Sequence, residues 1–333
     1  MIIFNLKRLP AFALVAVMLS LTACGAPVFS AVASPSPSAV ASATAIRLAT
    51  PERTVAIPNF RHVFNIMMEN KEYDDIIGSS SAPYLNQLAR TYGLATHYYA
   101  VQHPSLPNYL SLISGSNQGI NDDCPTCTVD APNLVDQLEA AQKTWKAYLE
   151  DLPSPCFNGP AAPTGILFLT DGYVRRHNPF MYFADIQHNP ARCQRTVPLS
   201  DFSEDLKANR LPNFVWISPN LNHDMHNGSI KEGDRWLAAF VPTILQSEAW
   251  KEQGALFIVW DEGTTNQGCC GVPGGGHVPA LVIASDGKAG YRSPIEYTHY
   301  SLLKTIEAAW HLPYLGHAGD PMNHVMSDLF SGN

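Results

Sequence analysis

Four short runs in this chain are apolar at nearly every position: His62 to Met68, Phe214 to Ser218, Ala255 to Trp260 and Val278 to Ala284. They are rich in β-branched and aromatic side chains and do not alternate apolar with polar. A strand of that kind must be covered on both faces. Helical patterns are interspersed with them, at Ala82 to Tyr92, Asp234 to Trp250 and Tyr300 to Trp310. Strands alternating with helices predict an α/β fold, a three-layer sandwich around a mainly parallel central sheet. In such sheets ligands gather beyond the carboxyl ends of the strands, so the polar residues just after each run are the candidates for chemistry.

The first residues belong to something else. Lys7 and Arg8 precede an apolar run from Ala11 to Leu21, short of the roughly 20 residues a bilayer span needs. This reads as an export signal over residues 1–23. Leu21-Thr22-Ala23-Cys24 is similar to a bacterial lipobox, which implies cleavage before Cys24 and a lipid-modified N-terminus. The expectation is an exported, cell-envelope lipoprotein held to a membrane through Cys24; ordinary export is the alternative. Residues 24–57, poor in charge and rich in Ala, Ser and Pro, read as a flexible linker. One large domain is expected over residues 58–333.

The formal charge is −8, and it becomes about −10 once Lys7 and Arg8 leave with the signal. That surface argues against nucleic acid, whose binding is driven by clustered Lys and Arg. A small phosphorylated substrate stays open, because a bound metal reverses the local field. With Cys24 given to lipid, six cysteines remain: Cys124, Cys127, Cys156, Cys193, Cys269 and Cys270. In an oxidising compartment they predict structural disulfides. The alternative, a four-thiolate zinc site, is disfavoured by the vicinal pair. A monomer is expected.

Four segments carry candidate chemistry. Glu69 and Asn70 follow the first apolar run, where a metal ligand at a sheet edge would sit. His103-Pro104-Ser105-Leu106-Pro107-Asn108-Tyr109 leads to Gly115, a pattern that starts a helix near Ser105 and ends it at Gly115. There Ser105 either caps the helix or offers its hydroxyl to a substrate at the positive end of the helix dipole, with Asn108 able to donate to a phosphate oxygen. After the Phe214 to Ser218 run, Asn220 to Gly228 holds His223, Asp224 and His226, ligand types suited to a divalent metal. Asp261 and Glu262 end another apolar run, and two adjacent buried acids call for a cation or donors. His277 could join them from the start of the next run.

Taken together, Glu69-Asn70-Lys71-Glu72-Tyr73-Asp74, the His103 to Tyr109 segment, His177-Asn178-Pro179-Phe180, and Trp260-Asp261-Glu262-Gly263 with His277-Val278-Pro279 resemble the successive motifs of the phosphoesterase family. That family contains bacterial acid phosphatases and phosphatidylcholine-hydrolysing phospholipases C within the alkaline-phosphatase-like superfamily. The resemblance runs from about Arg61 to Phe330. It implies an alkaline-phosphatase-like fold and a phosphoric ester hydrolase using one or two divalent metal ions. Ser105 becomes nucleophile and metal ligand, and Glu69, Asn70, Asp261 and Glu262 complete the metal site. Asn108 binds phosphate and His177 lines the pocket. Asp224 and His226 bind a second metal, while His223 and His277 act on the leaving group. Glu262 stands where the wider superfamily usually has His, and Asn220 to His226 departs from its usual spacing, which leaves the metal count open. The extra C-terminal domains of the larger phospholipases are not matched here, which favours the phosphatase side. Substrates would be small phosphorylated molecules or phospholipid head groups.

Metal coordination is one way to make a serine hydroxyl nucleophilic at neutral pH. Two rivals remain. A metal-free serine hydrolase would be expected to show a G-x-S-x-G elbow, which this sequence lacks. A surface-binding lipoprotein without catalysis would have had no reason to keep Ser105, Asn108 and Asp261 together.

Overall fold

The computed structural model describes residues 57–163 and 171–331. The export signal, Cys24 and the linker up to residue 56 lie outside the described residues. Among the described residues ten strands form: β1 (His62–Met68), β2 (Gly93–Tyr99), β3 (Trp145–Leu149), β4 (Ala161–Ala162), β5 (Tyr173–Val174), β6 (Thr196–Pro198), β7 (Phe214–Ser218), β8 (Gly254–Trp260), β9 (Ala280–Ala284) and β10 (Arg292–Thr298). Eight of them make one sheet in the order β10-β2-β9-β8-β1-β7-β3-β6, and β4 pairs with β5 separately. Pairings within the large sheet are parallel except those of β9, which runs antiparallel to both β8 and β2.

Every residue of β7, β8 and β9 is buried, so both faces of the sheet centre are covered. The sheet is mainly parallel, as expected, and the run read from Val278 begins at Ala280 as β9, its antiparallel member. A direct loop, with no helical crossover, joins it to β8, and such a connection returns the chain antiparallel. The long helix expected over Asp234 to Trp250 is two helices, Ile230–Leu245 and Glu248–Lys251. Ser229 caps the first through the Glu232 amide, and Ser247 starts the second by accepting from the Trp250 amide.

After β1 the chain goes to β2 on one side of the sheet and later to β3 on the other, so β1 sits at a topological switch point. The Ser105–Ser114 helix, buried along its whole length, follows β2. It ends at Gly115, whose φ of +70° is left-handed; a Cβ there would run into the Leu315 carbonyl. All six cysteines of the domain are used in the disulfides Cys124–Cys127, Cys156–Cys193 and Cys269–Cys270, which removes the thiolate zinc alternative. Among the described residues no helix is long and apolar enough to cross a membrane.

Candidate active site

Strand register brings the acids together. Met68 pairs with Trp260 across β1 and β8, and the Asp261 amide donates to the Met68 carbonyl at 2.9 Å, so Glu69 and Asp261 emerge side by side. On the other flank the Glu69 amide donates to the Asp224 carbonyl at 2.9 Å. Main-chain bonds therefore hold like charges close, against their mutual repulsion. Glu69 and Asp261 are fully buried, and Asp224 and Glu262 nearly so.

Ser105, the first residue of its helix, points its hydroxyl into this group. Its Oγ lies 3.2 Å from Glu69 Oε2 and 3.2 Å from Glu262 Oε1. One hydroxyl proton serves one of these oxygens at a time. Tyr109, one helical turn further along the same face, donates to Glu69 Oε1. Asn70 donates its side-chain amide to Glu69 at 2.9 Å and its main-chain N–H to Asp261 Oδ1 at 3.1 Å. His103 Nδ1 meets Glu262 Oε2, while His103 Nε2 faces the Thr265 carbonyl at 2.9 Å.

His177 sits between two of the acids. Its Nε2 lies 3.1 Å from Glu69 Oε1 and its Nδ1 3.2 Å from Asp224 Oδ2, and its ring stacks on Tyr109 at 5.2 Å. Burial pushes its pKa well below the usual histidine value, with Arg176 and His226 adding to the effect. The acids move the other way. Burial, then Asp261 and Asp224, raises Glu69 well above the carboxylate range, and burial does the same for Asp224. Burial lifts Asp261 to about 6, and burial followed by the charge of Asp261 lifts Glu262 to about 9.

His177 Nε2, Asp224 Oδ2 and Asp261 Oδ2 are buried without a hydrogen-bond partner. Orphaned acceptors and an imidazole aimed into one carboxylate-lined space are costly alone and suit a divalent cation, whose charge reverses the penalty. Glu69, His177 and Asp224 bring ligand atoms within 4.8 Å of one another. The donor set therefore fits a metal of the kind the sequence implied.

Several residues are not where the sequence placed them. Asn108 was expected to hold phosphate, but its Oδ1 accepts from the Val101 and Gln102 amides at 2.9 and 3.2 Å, and its Nδ2 donates to the Gln102 and Pro104 carbonyls. Those bonds use up the side chain in shaping the loop before Ser105. His223, expected at the leaving group, pairs with Glu150 at 2.9 Å and stacks on Trp236 instead. His277, given the same role, donates Nε2–H to the Thr96 carbonyl at 2.8 Å and stacks on Tyr73 at 4.6 Å. The side-chain hydrogen bonds of these two histidines go to Glu150 and the Thr96 carbonyl, not to Ser105 or the four acids. His177, expected along the pocket wall, is instead between two carboxylates. His226 lies beside the group: its amide donates to Asp224 Oδ1 at 2.7 Å and its ring is 6.1 Å from that of His177.

Tyr109 and His103 stood inside a quoted motif, and the four-residue spacing of Ser105 and Tyr109 on one helix was a readable signal of their shared target. Glu72 was also passed over. Its Oε1 accepts the Thr264 and Thr265 amides at 2.7 and 2.8 Å and its Oε2 the His277 amide at 3.1 Å, tying the loop after β8 to the end of β1. No local pattern announces that partner, 192 residues away.

Residues 79–313 match the phosphoesterase family. The chain belongs to the phosphoesterase family. It is 31% identical over 266 residues to a probable acid phosphatase of Kluyveromyces lactis, covering 78% of this chain and 61% of that protein. It is also 31% identical over 281 residues to a phosphatidylinositol-3-phosphatase of Mycobacterium tuberculosis, covering 82% and 85%. The chain thus spans about six-tenths of the length of its fungal relative. An alkaline phosphatase superfamily protein from Vibrio parahaemolyticus superposes with a TM-score of 0.52 at 13% identity, over 83% of this chain and 74% of that one. That likeness establishes an alkaline-phosphatase-like fold for this phosphoesterase.

Proposed function

We propose that this phosphoesterase hydrolyses phosphate monoesters, with Ser105 as nucleophile in a metal-dependent reaction. The observation that carries this is the Ser105 hydroxyl, 3.2 Å from both Glu69 and Glu262 on a floor of buried acids. Glu69, Asp261, Glu262 and Ser105, with Asn70, would hold one divalent cation, and His177 and Asp224 are placed to hold a second or to complete the first. A bound cation would lower the pKa of the serine hydroxyl and offset charge on the phosphoryl group.

Ser105 Oγ attacks phosphorus, the bond from phosphorus to the leaving oxygen breaks, and a phosphoserine forms. Water then attacks that phosphorus and frees Ser105. His226, whose amide bonds Asp224 and whose ring lies 6.1 Å from that of His177, is the histidine we propose for the proton transfers. Arg176 can only donate, so His226 Nε2, 3.3 Å from Arg176 Nη2, carries the lone pair, and Nδ1–H donates to Asn227 Oδ1 at 2.8 Å. Released from Arg176, that lone pair would take the Ser105 hydroxyl proton and pass it to the leaving oxygen, then take a proton from the attacking water and return it to Ser105 Oγ. The Mycobacterium tuberculosis relative is named for a phosphoinositide, which supports a phosphorylated lipid head group among the substrates. Anchoring of the mature chain at Cys24 would put the site next to such lipids.

A panel of phosphate mono- and diesters tests the reading, assayed with wild type and Ser105→Ala before and after chelation. Monoester turnover lost in the variant and on chelation is the expected result; turnover that survives the Ser105 change removes it from this role. For the anchor, Cys24→Ser is expected to release the protein from the membrane fraction, and unchanged fractionation would discard it.

A further inference from the structure

Two cations border the carboxylate floor. Lys71 donates its Nζ to the Asn70 and Met225 carbonyls at 3.2 and 2.8 Å, so two of its three N–H groups shape the main chain. Arg176 differs. It lies in the short turn Arg175–His177, directly before His177. Its Nε is buried without a hydrogen bond and faces Asp123 Oδ2 at 3.6 Å, too far for one. The neighbouring Arg175 offers no such freedom, since its guanidinium donates to the Pro125, Cys127 and Met181 carbonyls.

Asp123 links this guanidinium to the nucleophile. Its Oδ1 accepts the amide of Leu106, the residue after Ser105, at 3.0 Å, while Oδ2 faces Arg176. The carboxylate therefore stands on two donors that an anion arriving at Ser105 would use: a helix N-terminal amide beside the nucleophile, and a guanidinium with an unpaired N–H. The segment carrying it is closed by Cys124–Cys127 and pinned by Arg175, so the backbone is fixed and the side chain is the part able to turn away.

We infer that Arg176 grips the non-bridging oxygens of the substrate phosphate, and that Asp123 is a built-in competitor that takes the Leu106 amide and faces the guanidinium charge until phosphate displaces it. The inference rests on the reading that Ser105 attacks a phosphate ester. A guanidinium fits two phosphate oxygens at once, and a buried N–H without an acceptor is destabilising until one arrives.

The two residues of one ion pair then have opposite effects, which a purely structural pair would not. Steady-state kinetics on a phosphate monoester and competition by inorganic phosphate would be measured on the full-length protein with divalent metal added. Arg176→Ala is expected to raise KM and the phosphate Ki about tenfold to a hundredfold, as loss of a charge-assisted hydrogen-bond pair does. Arg176→Lys should fall between and carries the test if the alanine variant melts early. Asp123→Asn keeps an acceptor for the Leu106 amide and should lower the phosphate Ki severalfold. An Arg176→Ala enzyme with unchanged Ki, or an Asp123→Asn enzyme weakened in the same direction as Arg176→Ala, overturns the inference while leaving Ser105 its role. Absence of turnover by wild type instead removes the reading of Ser105, and this inference with it.

Discussion

His177 and His223 both sit against carboxylates, and their surroundings send them in opposite directions. His177 lies 3.1 and 3.2 Å from Glu69 and Asp224, fully enclosed, and burial drives its pKa down despite two acids at its nitrogens. His223 lies 2.9 Å from Glu150 with a third of its side chain in solvent, and the hydrogen bond to Glu150 raises its pKa above the ordinary value. Composition is the same in both places, one imidazole beside acid. Access of water decides the outcome: the buried ring is kept neutral and open to a metal, the wet ring becomes half of a surface ion pair.

The contrast breaks most sharply if the two histidines are exchanged for inert side chains. His177→Ala, or Glu69→Gln beside it, is expected to cut kcat/KM for a phosphate monoester on the order of a hundredfold to a thousandfold and to weaken divalent-metal binding in calorimetry. His223→Ala should change kcat/KM by less than about threefold, the effect of a surface pair outside the chemistry. Equal losses in the two variants would end the distinction.

Metal binding sharpens it further. Burial lifts Glu262 to about 9 in the metal-free protein, so it begins protonated near neutrality, and burial shifts Glu69 and Asp224 in the same direction. Binding of a cation should therefore release at least about one proton and strengthen with rising pH. Calorimetry in buffers of different ionisation enthalpy reads this directly, and zero release would contradict a buried, proton-loaded acid group.

Stability gives the two smaller effects. Asp224 binds its proton more tightly folded than unfolded, so its contribution makes the metal-free fold less stable as pH rises above the unfolded value of about 4. Asp224→Asn keeps an acceptor for the His226 amide and is expected to stabilise the metal-free protein at pH 7 by on the order of 1 kcal/mol while lowering activity. At His223 the folded pKa is above the unfolded 6.5, so the pair with Glu150 stabilises fully below about 6.5 and that stabilisation is lost as pH climbs through the folded value. Glu150→Gln should lower thermal stability at pH 6 by roughly 0.2–1 kcal/mol and leave it unchanged at pH 9. Thermal melts of both variants against pH check the pair of signs.

The acids at strand ends were legible because a buried parallel strand reveals its own limits: His62 to Met68 and Phe214 to Ser218 end where polar residues begin, and the next side chain is committed to the sheet edge. Ser105 was legible from the prolines and glycine that bound its helix. The histidines were not, because their direction depends on contacts distant in sequence. His277 follows three glycines and looks available, yet its ring is held by Tyr73 and the Thr96 carbonyl. Asn108 sits at a phosphate-binding spacing and is nonetheless consumed by carbonyls and amides of its own loop. The antiparallel direction of β9 and the break at Ser247 turned on how the chain reconnects, which periodicity does not record.

The reversed direction of β9 has a consequence for how such an enzyme can diversify. Residues 263 to 279 leave β8 and enter β9 at one edge of the sheet, and Gly274 and Gly275 bond the Val101 and Ala100 carbonyls in the segment leading to Ser105. This stretch borders the nucleophile without crossing to the far edge, so the part between its anchors at Thr265 and Gly274 can vary while every strand keeps its register. Choice of substrate and the bond-breaking machinery can therefore be altered one without the other.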